Sequence, residues 1–363
     1  MSVTMFGAPP SLFSGKARAY LDWKGVEFSE KLPSDPDFIS KVIPEVGRPV
    51  IPVIQLDDGT LLQDTTVIID HFERQANGPS IYPETPRQRL AALLLECFGD
   101  EWLVIPAMHY RWHYNEEWIY SEFGKTALPG GTPQDQYEAG KQRGAMFKGF
   151  VPMLGINEHT APAIEASYEA LLGELDSHFG SHDFLFGSRP SIGDYGLIGP
   201  LYAHNYRDPK SGELMKRLAP NVARWVERMI EPEPLSGEFL ADDEIPATLV
   251  PILARMMREH LPYLKSVAEL LDGWAAQNPD AEVPRTVGMA DFTIEGVTGQ
   301  RAALPFGLWM FQRSLDYLAS LNGDAREDTK ALLCKCGGDA VVEFKMPCRL
   351  NFESFKLTHS PLG

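Results

Sequence analysis

Along the first eighty residues, apolar and polar positions alternate in short runs that are cut by turn-forming residues. Ser2–Phe6 alternates briefly, and Gly7–Gly15 (GAPPSLFSG) ends it, which predicts a strand and then a loop. From Lys16 the period changes to helical, with Ala17, Tyr20 and Leu21 on one face and Gly25 suited to close the helix. Val26–Leu32 reads as a second strand. PVIPVIQL and TLL flank Asp57-Asp58-Gly59, whose Asp-Gly pair is a strong hairpin signal. Asp64 or Thr65 then stands as a cap before a helix with its apolar stripe at Val67, Ile68, Ile69 and Phe72. The predicted order is βαβ, a poorly defined connection, and ββα.

Between Thr85 and Glu231 the strand-type alternation disappears. RLAALLLECF, APAIEASYEALLGELDSHF, IGDYGLIGPLYAHNY and VARWVERMI all carry helical spacing. Ser191 with Asp194 three residues on marks one helix start, a capping box with aspartate in the place of glutamate. The proline-rich, acidic Glu231–Pro246 suits a linker. Beyond it Leu249, Ile252, Leu253 and Met256 form a helical stripe, as do Leu308, Phe311, Leu315 and Leu318. Val342, Phe344 and Met346 alternate like a strand. The expected division is residues 1–82, 85–231 and 232–363, the last a C-terminal extension without repeat or motif.

Composition changes this picture little. Hydrophobic residues are 44% and charged residues 23% of 363, an ordinary globular balance. Fifty acidic residues against 33 basic give a formal net charge of -17, which repels phosphate backbones and anionic lipid, so neither nucleic acid nor a membrane is an expected partner. The absence of a long apolar run or a basic start with an apolar core predicts a cytoplasmic protein. Cys97, Cys334, Cys336 and Cys348 are too few for a disulfide scaffold. The last three with His359 lack the loop spacing of a structural zinc site, and His109 with His113 has no third ligand nearby. Buried thiols and no metal are therefore expected.

Pro52 is the anomaly. A proline within VIPVI forfeits a ladder donor, which an interior strand rejects unless the residue sits at an edge or a special turn. A βαβ-ββα pattern with a proline opening its third strand, followed by a helical region, resembles the glutathione S-transferase superfamily from about Ser2 to Ile230. SRPSIGDYGL and NVARWVERM resemble the Ser-x-x-Asp and Asn-x-x-x-Trp stretches of that family's second domain. The resemblance implies an α+β fold: a thioredoxin-like βαβ-ββα domain, an all-α domain, and here a mixed α/β C-terminal extension. It implies a cis bond before Pro52, with Ile51 free to pair with a peptide ligand. It implies Asp64 and Thr65, where many relatives carry Glu-Ser, as the holders of the γ-glutamyl end of glutathione, and Phe13 as a further contact.

The same resemblance implies Ser11, in SLFSGKARAYL, as the activating residue, with Ser14 as the alternative; Phe6 stands where tyrosine-type members carry their phenol. A thiol of pKa about 8.5 is about 3% ionised at pH 7, and lowering it two units takes roughly 2.7 kcal/mol of preference for the thiolate. A hydrogen bond to an anion (about 1.5–3 kcal/mol) and a helix N-terminus (about 0.3–1 kcal/mol) supply that. Serine forms no mixed disulfide, so thiolate attack on an apolar, small-molecule electrophile is the implied chemistry. Glutathione is then a co-substrate, and a homodimer is implied. Tyr110 and Trp112 are the candidates for the second substrate, in a stretch whose default reading is aromatic core. The alternatives are a glutathione-dependent isomerase or lyase, and a non-catalytic interaction protein that keeps the fold.

Overall fold

The computed structural model describes residues 3–75, 78–232, 237–279 and 281–362. Its first elements are β1 (Val3–Phe6), α1 (Leu12–Lys24), β2 (Phe28–Lys31), the short α2 (Ile43–Val46), β3 (Val53–Gln55), β4 (Leu61–Gln63) and α3 (Thr65–Arg74). Helices follow: α4 (Pro86–Cys97), α5 (Val104–Tyr114), α6 (Glu116–Ala127), α7 (Pro133–Gly149), α8 (Ala161–Phe179), α9 (Ile192–Pro200), α10 (Pro209–Leu218), α11 (Pro220–Ile230) and α12 (Val250–Gln277). The chain closes with β5 (Met289–Ile294), β6 (Val297–Ala302), α13 (Pro305–Ser320), α14 (Gly323–Lys335), α15 (Asp339–Val342), β7 (Arg349–Glu353) and β8 (Lys356–Ser360).

These elements form two compact units. The first comprises Met1–Ile81, Ala107–Val151 and Leu197–Gly237; the second comprises Tyr82–Pro106, Pro152–Gly196 and Glu238–Gly363. The first holds a four-stranded sheet in the order β2-β1-β3-β4. β1 runs parallel to β2 and antiparallel to β3, and β3 runs antiparallel to β4. Met5, Phe6, Val53 and Ile54 are wholly buried in it. The hairpin forms at Asp57-Asp58-Gly59, where Gly59 supplies φ 88° and the Leu56 N–H reaches the Thr60 carbonyl at 2.9 Å. Helix α1 starts earlier than its periodicity predicts, at Leu12, because Ser11 caps it; Gly25 closes it in the left-handed region, as read.

In the second unit the Ser191 and Asp194 cap is present. The Asp194 carboxylate accepts from the Ser191 N–H and hydroxyl, both at 2.8 Å, and from the Leu185 N–H at 3.1 Å. The extension is organised around α12, whose buried Arg255 pairs with Glu174 on α8, with Glu259, and with Glu295 in the β5–β6 turn at 2.8–2.9 Å. The strand read at Val342, Phe344 and Met346 does not form. Val342 ends α15, and Phe344 is drawn edge-on onto Phe311 of α13, with ring centroids 5.0 Å apart. A strand forms instead at β7, after Pro347. Cys97, Cys336 and Cys348 are buried thiols, but Cys334 is exposed at the end of α14, where its thiol donates to Asp339 at 2.7 Å.

Candidate functional site

Strand register gathers the candidate residues at one end of the sheet. Val53 of β3 pairs with Phe6 of β1 on one side and with Gln63 of β4 on the other. Ser11 therefore follows the end of β1, Ile51 and Pro52 precede the start of β3, and Asp64 and Thr65 follow the end of β4, all from the same edge. Helices α1 and α3 both begin there, so their N-terminal N–H groups give this end a positive bias.

The loop from Gly7 to Ser11 is tightly held. The Gly7 N–H bonds the Lys31 carbonyl at 2.9 Å, and the Ser11 N–H bonds the Ala8 carbonyl at 3.1 Å. A Cβ at Gly7 would lie 2.9 Å from Glu30 Oε1 and 3.2 Å from Ser14 Oγ, so a larger residue there would have to displace these side-chain atoms. Glu30 itself accepts from Arg18 Nε at 2.8 Å and Nη2 at 2.5 Å.

Ser11 is half-buried, extended (φ -87°, ψ 124°), and its Oγ accepts the Ser14 N–H at 3.2 Å. That cap uses an oxygen lone pair and leaves the hydroxyl hydrogen for another acceptor. Ser14 is fully buried, and its hydroxyl accepts from the Ala8 N–H at 3.3 Å. Phe13 is half-buried in the first turn of α1. Phe6 is buried against Phe38, ring centroids 5.6 Å apart.

The Ile51–Pro52 peptide is cis. Ile51 stands outside the ladder, whose pairs end at Val53, so the missing proline donor interrupts no sheet bond. Asp64 caps α3: its carboxylate accepts from the Thr66 N–H at 2.8 Å. It does so at φ 78° and ψ 135°, a region that L-residues with a side chain rarely occupy. Thr65 opens the helix at only 2% exposure.

Tyr110 and Trp112 are each 5% exposed. Trp112 packs against Tyr120 and Phe123 of α6, at 5.9 and 6.2 Å between ring centroids, and belongs to the aromatic core. Tyr110 stacks on Tyr114, which is 44% exposed. His109 stacks on His113 at 5.3 Å; among the described residues no three His, Cys, Asp or Glu side chains gather as a metal site.

Sequence reasoning missed Arg111 and Asp208, although both are buried next to this loop. Arg111 donates to Asp208 through Nε (2.7 Å) and Nη2 (2.8 Å), and to the carbonyls of Pro10 and Ala203. An arginine inside an otherwise aromatic run and an Asp-Pro helix start were the available signals, and neither names its partner. Neighbouring His204 is driven well below the usual histidine range by burial and then by the Arg111 and Arg207 charges. It is neutral near pH 7 and adds no charge beside Arg111.

The family model for the glutathione S-transferase N-terminal domain matches residues 5–80, and that for the C-terminal domain matches residues 156–228. These two matched segments are the N- and C-terminal domains of one family and support the glutathione S-transferase superfamily. Residues 229–363 lie outside both matches. Among solved structures, the β-etherase LigF from Sphingobium sp. strain SYK-6 is 18% identical over 64% of this chain and 96% of its own, with a TM-score of 0.46. FzlA from C. crescentus is 17% identical over 70% of this chain and 92% of its own, TM-score 0.40. A glutathione S-transferase from Methylobacterium radiotolerans in complex with glutathione sulfonate is 18% identical over 67% and 99%, TM-score 0.38. No curated protein matches the chain.

Proposed function

We propose that the chain is a serine-type glutathione transferase that binds reduced glutathione along the sheet end defined by Phe6, Val53 and Gln63 and ionises its thiol beside Ser11. The observation that carries this reading is Ser11 itself. It caps α1 through its oxygen and retains its hydroxyl hydrogen, at a helix N-terminus that favours an anion. Ser11 donates to the thiolate and is not the nucleophile. The buried Ser14, whose oxygen already serves Ala8, suits a structural role.

Ile51 offers its unpaired backbone edge to the peptide, Phe13 flanks it, and Asp64 and Thr65 receive the glutamyl end. Because Thr65 is so nearly buried, the first-turn N–H groups of α3 take the larger share of the carboxylate. The thiolate then attacks a small apolar electrophile, for which Tyr110 is the better-placed aromatic candidate and Trp112 is a supporting core residue. A homodimer in the reducing cytosol is part of this reading; all four cysteines are free thiols.

Replacing Ser11 by alanine removes one hydrogen bond to an anion, about 1.5–3 kcal/mol, hence about 10- to 150-fold in turnover of a generic aryl halide, with much smaller change in glutathione affinity. Undiminished turnover in a folded S11A protein sinks the assignment. Retention of the wild-type protein on immobilised glutathione, with elution by free glutathione, separates this reading from a non-catalytic module. Tracking whether glutathione is consumed or regenerated separates conjugation from isomerisation.

A further inference from the structure

The Pro10–Ser11 peptide is held at both of its polar atoms. Its N–H, on Ser11, bonds the Ala8 carbonyl at 3.1 Å, and its carbonyl, on Pro10, receives Arg111 Nη1 at 2.6 Å. Fixing both ends of that peptide plane fixes the Ser11 N–Cα bond, and the Ser11 carbonyl, which accepts the Gly15 N–H at 3.0 Å, fixes the rotation about it, so the two together set the direction in which the Ser11 Cα–Cβ bond leaves the backbone. Arg111 can hold that plane because it is immobilised itself. It is 2% exposed, it is bidentate to Asp208, and Nη2 also reaches the Ala203 carbonyl at 2.6 Å. Asp208, wholly buried, opens α10 without capping it and spends its carboxylate on Arg111 instead. The guanidinium thus joins the loop before α1, the helical segment Leu201–Tyr206 at Ala203 and the start of α10 through four hydrogen bonds.

We propose that Arg111, locked by Asp208, is a positioning residue that aims the Ser11 hydroxyl at the sulfur of glutathione. This rests on the reading of Ser11 as the thiolate's donor. Arg111 is too deeply enclosed to meet the substrate, so its influence reaches the reaction only through the Pro10–Ser11 peptide. Lysine keeps the charge but cannot span three acceptors in a planar fork, so Arg111→Lys loosens the loop without abolishing the buried cation.

The test is a double-mutant cycle on the full chain, read in turnover of an aryl halide, in KM for glutathione, and in the ultraviolet absorbance of bound thiolate as a function of pH. R111K is expected to lower kcat about tenfold, leave KM for glutathione within about twofold, and move the thiolate midpoint upward in the same direction as S11A. In the S11A background R111K is expected to have no further effect, because the group being aimed is gone. Asp208→Asn, which keeps shape and both carbonyl contacts while removing the ion pair, is expected to show a smaller shift of the same kind, and it serves as the reading should R111K fail to fold. A folded R111K or D208N protein with unchanged kcat and midpoint overturns the proposal, and so does a loss that multiplies with S11A. If S11A leaves turnover and midpoint unchanged, the reading of Ser11 itself fails, and this inference with it.

Discussion

Asp64 sits at φ 78° with a full side chain and still caps α3, so one residue carries a strained backbone and a favourable hydrogen bond together. Strain of this kind amounts to about 1–3 kcal/mol, and an aspartate cap contributes about 1 kcal/mol. The two are separable by substitution. Asp64→Gly relieves the backbone and gives up only a few tenths of a kcal/mol in capping, so it is expected to equal or exceed the wild type in denaturant midpoint. Asp64→Ala keeps the strain, loses the cap, and is expected to be about 1 kcal/mol less stable than wild type. If the carboxylate also meets the ammonium of glutathione, both variants weaken ligand binding, and only D64A weakens the fold. Equilibrium unfolding beside calorimetric titration with glutathione reads both quantities; a D64G protein less stable than D64A contradicts the strain argument.

Among the helices, α6 and α7 approach so closely that glycine is the only residue that fits at their crossing. A Cβ at Gly140 would fall 1.7 Å from the Tyr120 carbonyl oxygen, and one at Gly124 would fall 1.8 Å from that of Gln136. Backbone cannot step aside as a side-chain tip can, so Gly140→Ala is expected to cost at least about 3 kcal/mol, the upper end of overpacking. Gly173, in mid-α8 with nothing near its absent Cβ, is the contrast: Gly173→Ala is expected to gain about 0.5–1 kcal/mol from helix propensity. Thermal unfolding of the pair decides it, and a neutral G140A removes the close-crossing account. Such contacts mark what a single sequence conceals. Periodicity and turn chemistry were enough for β1, α1, β2, β3, β4 and α3, for the stretches that contain α4, α8, α9 and α11, and for the Ser191 cap, because those signals are local; α2, α6, α7 and α10 are not among the elements so read. Ser11, Pro52 and Asp64 were legible as a set only through a resemblance, since their meeting depends on the Phe6–Val53–Gln63 register. The Arg111–Asp208 pair spans 97 positions and left no local trace. Two hairpins in the extension were passed over although β5 alternates in burial residue by residue and Glu295-Gly296 turns with both φ values positive, the arrangement a two-residue hairpin loop requires. At Phe344 the strand-like alternation lost to a tertiary ring contact.

Taken over the whole chain, buried histidines tie stability to pH. His178, with its ring between the Thr248 hydroxyl (2.8 Å) and the Phe184 carbonyl (3.3 Å), is lowered to about 4, first by burial and then by the charge of His182 stacked on it. Burial likewise pushes His204 and His260 well below the usual range. For a histidine whose folded pKa is depressed, both states are neutral above about 6.5 and the group leaves stability unchanged there. As pH falls below 6.5 the unfolded chain takes up the proton first, so stability is lost down to the folded pKa and the loss levels off beneath it. For His178 alone that window runs from about 6.5 to about 4, and its full depth is on the order of 3 kcal/mol. His178→Gln retains an amide able to bond Thr248 but has no proton to gain. The difference in unfolding free energy between wild type and H178Q is therefore expected to be flat from pH 8 to 7 and then to move in favour of the variant by about 1.4 kcal/mol per pH unit between pH 6 and 4.5. Chemical denaturation at half-unit steps measures that slope directly. A difference that stays constant through this window shows that the ring is already charged in the folded state, or is solvated enough to titrate as it does in the unfolded chain.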